Sequence, residues 1–176
     1  MPQSNVDVKL SALFDVISTE AFTKLADLSV PGLGWPTDMV AVPSMNCIYV
    51  SDRYGVKVTH NEPDKPGIFS ITDTGNPVHH LLDVTPAGLS ITSDKHLLAV
   101  CEDEKRGRSL RFFRSERSSD GVELVEVEDR RIELELERYV LQATEVREGR
   151  YVISQVHKSR GVHRIVVVNN SGAEVR

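Results

Sequence analysis

The chain has 176 residues, 40% of them hydrophobic and 27% charged, with a formal net charge of −5. This length allows one sizeable core or several small stacked units, and the composition is ordinary for a soluble globular protein. The net negative charge does not favour nucleic acid or an anionic membrane as the main partner, because both are negatively charged.

The sequence predicts a cytoplasmic protein, because we recognise no targeting signal in it and it has few cysteines. The N-terminus has no basic region followed by an apolar run, and no apolar segment approaches the roughly 20 residues of a membrane helix. Cys47 and Cys101 are the only cysteines, too few for a disulfide framework. Both lie beside strand-like runs, so we expect buried, reduced thiols.

Residues 6–29 fit either a helix or a pair of strands. Apolar residues recur there at helical spacing, yet the pattern also alternates strictly from Val6 to Val16. The stretch is similar to residues 68–84, where Gly75 and Pro77 disfavour a helix. We therefore predict that residues 1–33 contain two outer strands of a preceding unit and a linker, with a helix as the alternative.

Residues 34–84 predict a four-stranded antiparallel meander. Four short apolar or alternating runs, at 36–42, 47–52, 67–71 and 78–84, are separated by turn residues. The polar loop between the second and third runs contains two prolines and belongs at the surface. The whole interpretation fails if this segment is not such a sheet.

The same unit recurs over residues 85–138 and, in part, over residues 139–176. The runs 48–50, 98–100 and 151–153 lie about 50 residues apart, a repeat length typical of β-propeller blades. Each blade buries its faces only against its neighbours. We predict an all-β fold, an incomplete β-propeller of four-stranded antiparallel blades, in which the last blade has a short or missing fourth strand.

Two whole blades and two partial ones do not close a ring, which usually takes roughly four to eight. Three arrangements follow from this count. The chain is a piece of a larger protein, an open arc, or a protomer that completes its ring with another copy. Exposed sheet edges associate readily, so self-association through the open edges is one expected kind of contact.

The repeat resembles the NHL type found in six-bladed propellers. Residues 36–42 followed by 48–52 are similar to its Pro-x-Gly-hydrophobic strand and its x-Tyr-Val-x-Asp strand. Residues 86–91 match the first element, and His163-Arg164-Ile165 matches a later strand. The resemblance covers most of residues 34–176 and implies a six-bladed platform that binds proteins or, in some members, RNA through a basic face.

Candidate binding residues lie near the ends of the first two predicted strands and in a later loop: Trp35, Asp38, Asp52, Arg53 and His157. First strands line the central channel of a propeller, so Asp38 belongs in or near it, and Asp52 ends the second strand. Trp35 is expected to be buried between blades, although an exposed tryptophan makes a natural interface anchor. His157 is expected at the surface near a strand end.

The two aspartates raise a metal-site alternative. Converging carboxylates can hold calcium, and the resemblance extends to six-bladed lactonases and related hydrolases with an axial metal. When the repeats of this chain are aligned with one another, however, Gly88 and Ala143 occupy the position of Asp38 in the other blades. Neither residue supplies a side-chain oxygen. An aspartate that accepts hydrogen bonds from backbone groups is the expectation for both residues.

Two other polar clusters are expected to be structural or solvated. His79 and His80 are adjacent in an alternating strand, so they point to opposite faces and do not share a metal. The basic stretch 105–108, with Arg111 and Arg114, has acidic residues interleaved with it. We expect it to form a solvated face and not a nucleic-acid site.

The sequence contains no catalytic motif that we can identify. It has no nucleophile elbow, no phosphate-binding loop, no dinucleotide fingerprint and no Cys-x-x-Cys pair. We therefore expect a scaffold that binds a protein or peptide through blade-connecting loops, without a resident cofactor. A calcium-dependent hydrolase or lyase with a site on the channel axis is the alternative.

Overall fold

The computed structural model describes residues 30, 32–56, 65–72, 77–103, 107–119, 121–134, 138–157 and 159–175. Most of these residues lie in strands: β1 (Pro36–Val42), β2 (Cys47–Val56), β3 (Lys65–Thr72), β4 (Val78–Leu81), β5 (Thr85–Ile91), β6 (Leu97–Asp103), β7 (Gly107–Ser118), β8 (Gly121–Glu126), β9 (Ile132–Glu133), β10 (Arg138–Arg147), β11 (Arg150–His157), β12 (His163–Asn169) and β13 (Glu174–Val175). Two short 3-10 helices span Pro43–Met45 and Glu128–Arg130.

The strands form three antiparallel sheets in chain order. The first sheet has the order β1-β2-β3-β4, the second β5-β6-β7-β8, and the third β10-β11-β12-β13, while β9 pairs with β7. The fold is all-β, an incomplete β-propeller whose antiparallel blades have four strands in the first and third sheets and a fifth strand, β9, in the second. The predicted meander over residues 34–84 is confirmed. The fourth strand of the third sheet, β13, is two residues long, as predicted.

The central strand of the molecule, β6, is apolar at every position from Leu97 to Cys101 because both faces of the second sheet are covered. Its odd-numbered residues there join a core shared with the first sheet, which includes Tyr49. Its even-numbered residues join a core shared with the third sheet, which includes Tyr151. These two cores therefore stabilise the stacking of the sheets. A third core packs Val50, Phe69 and Ile71 of the first sheet with residues that include Val30 and Leu33.

The first strands of the three sheets, β1, β5 and β10, lie next to one another. Each has a shift in its pairing with the second strand, at residues 36–38, 86–89 and 140–142. Such irregularities bend a strand and redirect its side chains. All three therefore change side-chain direction near the same end of the stack, and this end forms the candidate site.

The structure contradicts the predicted burial of Trp35. Its side chain is 60% exposed, although its backbone is fixed at the start of the first sheet. The Trp35 N–H donates to the Asp52 carboxylate, and the Trp35 carbonyl accepts from the Arg53 N–H. These bonds hold the main chain and leave the indole outside the core.

The expectation of a solvated basic face is wrong for Arg108 and Arg111. β7 begins at Gly107, so Arg108 lies in this strand together with Arg111, and both are buried. The Arg111 guanidinium contacts the carboxylates of Asp83 at 2.8 Å and Glu126 at 3.1 Å. Arg114 is exposed and pairs with a neighbouring glutamate.

The remaining structural predictions have mixed outcomes. Cys47 and Cys101 are buried and free, which confirms the expected reduced thiols. The two strands predicted within residues 6–29 lie outside the described residues. Within the part of the chain that the structure describes, helices long and apolar enough to cross a bilayer are absent.

Candidate functional site

A pocket of about 430 Å³ opens where the first strands of all three sheets come together. We call it the inner-strand pocket. The second strand of the first sheet contributes Arg53, the second sheet contributes Glu102 and Arg108, and the third sheet contributes Leu141 and Gln142. Its wall also includes Asp38, so the pocket brings together residues that are far apart in the sequence.

Asp38 connects the three sheets through its carboxylate. Its Oδ1 accepts from the Met39 N–H at 2.8 Å. Its Oδ2 accepts from the Leu89 N–H on β5 at 2.7 Å and from the Gln142 side-chain amide on β10 at 3.0 Å. The expectation that Asp38 bonds to backbone N–H groups is confirmed, and one further donor comes from a side chain.

Gly88 allows Gln142 to reach Asp38. A Cβ at position 88 would lie 1.8 Å from Gln142 Oε1 and 2.6 Å from the Leu141 carbonyl oxygen, both far inside van der Waals contact. The Gln142 amide passes over this glycine and also donates to the Leu89 carbonyl at 3.1 Å. The missing side chain at position 88 is therefore part of how the pocket is built.

Three charged side chains, those of Arg53, Glu102 and Arg108, also line the pocket. The Glu102 carboxylate bonds to Arg108 at 2.7 Å and lies 3.7 Å from the guanidinium of Arg53. The Arg108 guanidinium also lies over the ring of Tyr139, 4.2 Å from its centroid, a cation–π contact. Arg108 is thus held in one orientation, whereas the side chain of Arg53 is 46% exposed at the rim.

Asp52 has a structural role next to the pocket. It is completely buried, and its two oxygens accept from the N–H groups of Gly34 and Trp35, each at 2.7 Å. The expected bonds to backbone N–H groups are confirmed, but the prediction that Asp52 ends the second strand is wrong, because β2 continues to Val56. Because Arg53 follows directly, the bonds to Asp52 fix the main chain from which the Arg53 side chain reaches the pocket rim.

His157 and Trp35 do not line the inner-strand pocket. His157 lies at the end of β11, and its Nδ1 is 3.1 Å from the Ser159 hydroxyl. Of the five residues that the sequence singled out, Asp38 and Arg53 line the inner-strand pocket, and Trp35, Asp52 and His157 do not.

His79 and His80 lie on opposite faces of β4, as predicted. The His79 ring stacks on Phe69, with centroids 4.2 Å apart. His80 Nε2 lies 2.9 Å from the hydroxyl of Ser70, which donates to the Val122 carbonyl of the second sheet. Burial lowers the pKa of both imidazoles, that of His80 to about 4, so both rings are neutral at physiological pH.

The inner-strand pocket is lined by charged, polar and apolar side chains. Among the described residues, there is no group of three or more histidine, cysteine or acidic side chains that could hold a metal ion. The described lining residues of the inner-strand pocket include no serine, cysteine or histidine. The pocket offers guanidinium and amide donors, carboxylate acceptors and the apolar Leu141, a mixture suited to binding.

Sequence reasoning missed Glu102, Arg108, Leu141 and Gln142. Our alignment matched Ala143 to Asp38, whereas the residue that reaches Asp38 is Gln142, one position earlier. The shift in pairing between Val140 and Gln142 causes this difference, because one inserted residue changes which side chain points inward. The sequence did reveal the acidic and basic residues at 102–108, but we predicted that they form a loop.

Comparisons with known proteins do not extend this picture. A scan against protein-family models finds no match, and a search of the curated proteins finds no relative.

Proposed function

We propose that this protein is an interaction module of the NHL-repeat propeller type that binds a protein or peptide segment in the inner-strand pocket. One observation carries the proposal: three consecutive sheets contribute side chains to a single solvent-open pocket at the ends of their first strands. Concave pockets with a few converging polar groups are the usual ligand sites of proteins.

The chemistry of the pocket fits a polypeptide. A peptide main chain offers one donor and one acceptor per residue, and the pocket has both kinds of partner in Gln142, Arg53 and Glu102. Leu141 is 51% exposed and gives an apolar side chain a surface to cover. Partly exposed apolar residues beside arginine are typical of protein–protein contact sites.

The hydrogen bonds of the aspartates favour binding over calcium-dependent hydrolysis. Both oxygens of Asp38 and both oxygens of Asp52 already accept from N–H groups of the protein. A calcium ion would have to displace these donors, whereas Ca²⁺ sites are built from oxygen ligands that point at the ion. The geometry therefore supports a scaffold.

The test is selection from a random peptide library displayed on phage, followed by affinity measurement on the wild type and two matched variants. Leu141→Ser changes the pocket, and Val146→Ser changes an equally apolar residue of the same strand, 55% exposed and outside the pocket. We expect selected peptides to lose about tenfold or more in affinity with Leu141→Ser and to keep it with Val146→Ser.

Two results would overturn the proposal. One is a library that yields no specific binder, and the other is a set of binders that tolerates Leu141→Ser as well as it tolerates Val146→Ser. A thermal melt with calcium and with a chelator tests the alternative, because an ion that binds only the folded state raises Tm. A rise of several degrees with calcium would favour the hydrolase.

A further inference from the structure

We propose that this protein forms a dimer in which the third sheets of two copies pack face to face. The inference goes beyond the proposed function, because it concerns the outward face of the third sheet and not the inner-strand pocket. The occupant of this face is a second copy of the chain, related to the first by a two-fold axis.

The third sheet has one packed face and one open face. Its packed face, which includes Tyr151 and Ile153, contributes to the core shared with the second sheet. The intervening residues of each strand point the opposite way, and they belong to no hydrophobic core of the described residues. The strand register places them side by side on one surface, which we call the open face: Thr144, Val152, Ser154, Val156, Ile165, Val167 and Val175.

The open face has the composition of a packing surface. Valine and isoleucine predominate in it, and none of its residues is charged. Ile165 is 75% exposed, although isoleucine is usually buried. On the second sheet, the face that includes Leu98 and Phe112 is buried against the third sheet. A contiguous apolar surface that is left exposed in this way marks a contact site.

The two ends of the stack of sheets differ, and this difference selects the geometry of the dimer. At the other end, Val50 and Phe69 of the first sheet already pack with residues that include Val30 and Leu33. A second copy that placed its open face there would have to displace these residues, which disfavours a head-to-tail chain. The open face is thus left to pair with the same face of another copy, and such pairing closes the assembly at two subunits.

The charges of the protein fit this pairing. In a two-fold dimer each residue meets residues of the same patch, so a charged patch would repel itself. The open face has no charged residue and avoids this repulsion. Each chain carries a net charge of −5, so the remaining repulsion acts between whole copies, and salt should screen it.

The size of the open face predicts weak association. The third sheet has four strands, and at a spacing of about 4.8 Å between strands and about 3.3 Å per residue the face covers roughly 300 Å² per copy. Stable interfaces bury about 800 Å² per partner. We therefore expect a reversible dimer with a Kd of about 10–100 µM.

Sedimentation equilibrium of the intact protein, from about 1 µM to about 1 mM, tests the inference. We expect a monomer–dimer equilibrium that tightens as the NaCl concentration rises. Ile165→Glu should weaken the dimer by about tenfold or more, because each dimer then holds two like charges in an apolar contact. Leu81→Glu is the matched control, since Leu81 is 56% exposed on β4 of the first sheet, and it should dimerise like the wild type. Circular dichroism checks that both variants fold.

Four results would overturn the face-to-face dimer. Assemblies that grow beyond two subunits would show head-to-tail stacking, and a dimer that tolerates Ile165→Glu would place the contact elsewhere. A wild type that stays monomeric, with a Tm that falls in Ile165→Glu and not in Leu81→Glu, would show that a segment of the same chain covers the face. A monomer whose Tm neither variant changes would leave the face to a different protein.

Discussion

Gln142 donates its side-chain amide to Asp38 across 3.0 Å, although 104 residues separate the two and a whole sheet lies between them in the chain. The Asp38 oxygen that accepts this bond also accepts the Leu89 N–H of the intervening sheet. One carboxylate therefore joins three sheets at their inner edge. We expect the stability of the fold to depend on it.

Asp38→Ala should lower the free energy of unfolding by about 1–3 kcal/mol, since hydrogen bonds to a charged group are lost and the Leu89 N–H is left without its acceptor. Urea denaturation monitored by circular dichroism measures the change. Glu123→Ala, at an exposed site on β8, is the control and should change stability by less than about 0.5 kcal/mol. Equal effects of the two variants would contradict the role of Asp38.

Gly88→Ala should destabilise the protein because the new Cβ meets both the Gln142 side chain and the Leu141 carbonyl. Overpacking of this kind typically costs about 1–3 kcal/mol. Combining it with Gln142→Ala should recover only part of the loss, since the side-chain clash disappears and the backbone clash remains. Complete recovery in the double variant, measured by urea denaturation, would show that the backbone contact relaxes freely.

The fold was predictable because its signals are local. Alternating or continuous apolar runs separated by turn residues specify strands, and their recurrence specifies stacked sheets. The pocket was not predictable, because it depends on shifts of one residue in strand pairing and on contacts between distant parts of the chain. Asp38 stood out as an acid on an inner strand, while its partner Gln142 was one position away from the residue that alignment selected.

Trp35 illustrates a second limit of sequence reasoning. Large aromatic residues are mostly buried, so burial between blades was the natural expectation. The structure holds the Trp35 backbone through hydrogen bonds with Asp52 and Arg53. Hydrogen bonds of the main chain do not depend strongly on residue type, so the sequence could not predict the direction of the indole.

The stability of the protein should decrease between about pH 6.5 and pH 4. Burial lowers the pKa of His80 to about 4, with His79 reinforcing the shift and a bond to the Val122 carbonyl opposing it. The unfolded chain keeps the ordinary pKa near 6.5, so it binds more protons than the folded state throughout this window. Stability is thus fully present above pH 6.5 and is lost as the pH falls toward 4.

Urea titrations at several pH values measure this effect, which should reach up to about 1 kcal/mol per pH unit. His80→Gln should flatten the dependence because the titrating group is gone. His163→Gln, at an exposed site on β12, should leave it unchanged. A wild-type stability that stays constant from pH 6.5 to pH 4 would contradict the assignment to His80.

The two thiols should be unreactive in the folded protein. Burial raises the pKa of Cys101 to about 12 and also raises that of Cys47, and the thiolate is the reactive form. Ellman's reagent should label neither cysteine under native conditions and both in guanidinium chloride. A Thr144→Cys variant, at an exposed position on β10, should be labelled at once. Rapid labelling of wild type would show that the cores open locally.

The strand β9 has a consequence for how the protein behaves at high concentration. β8 pairs with β7 from Phe113 onward, and β9 covers the earlier residues Ser109 and Leu110. A bare stretch of β7 would present unpaired N–H and carbonyl groups to other molecules, which is how sheets join edge to edge into aggregates. This two-residue strand therefore covers the edge of β7, and Ile132→Pro should increase aggregation, measured by light scattering as the protein concentration rises.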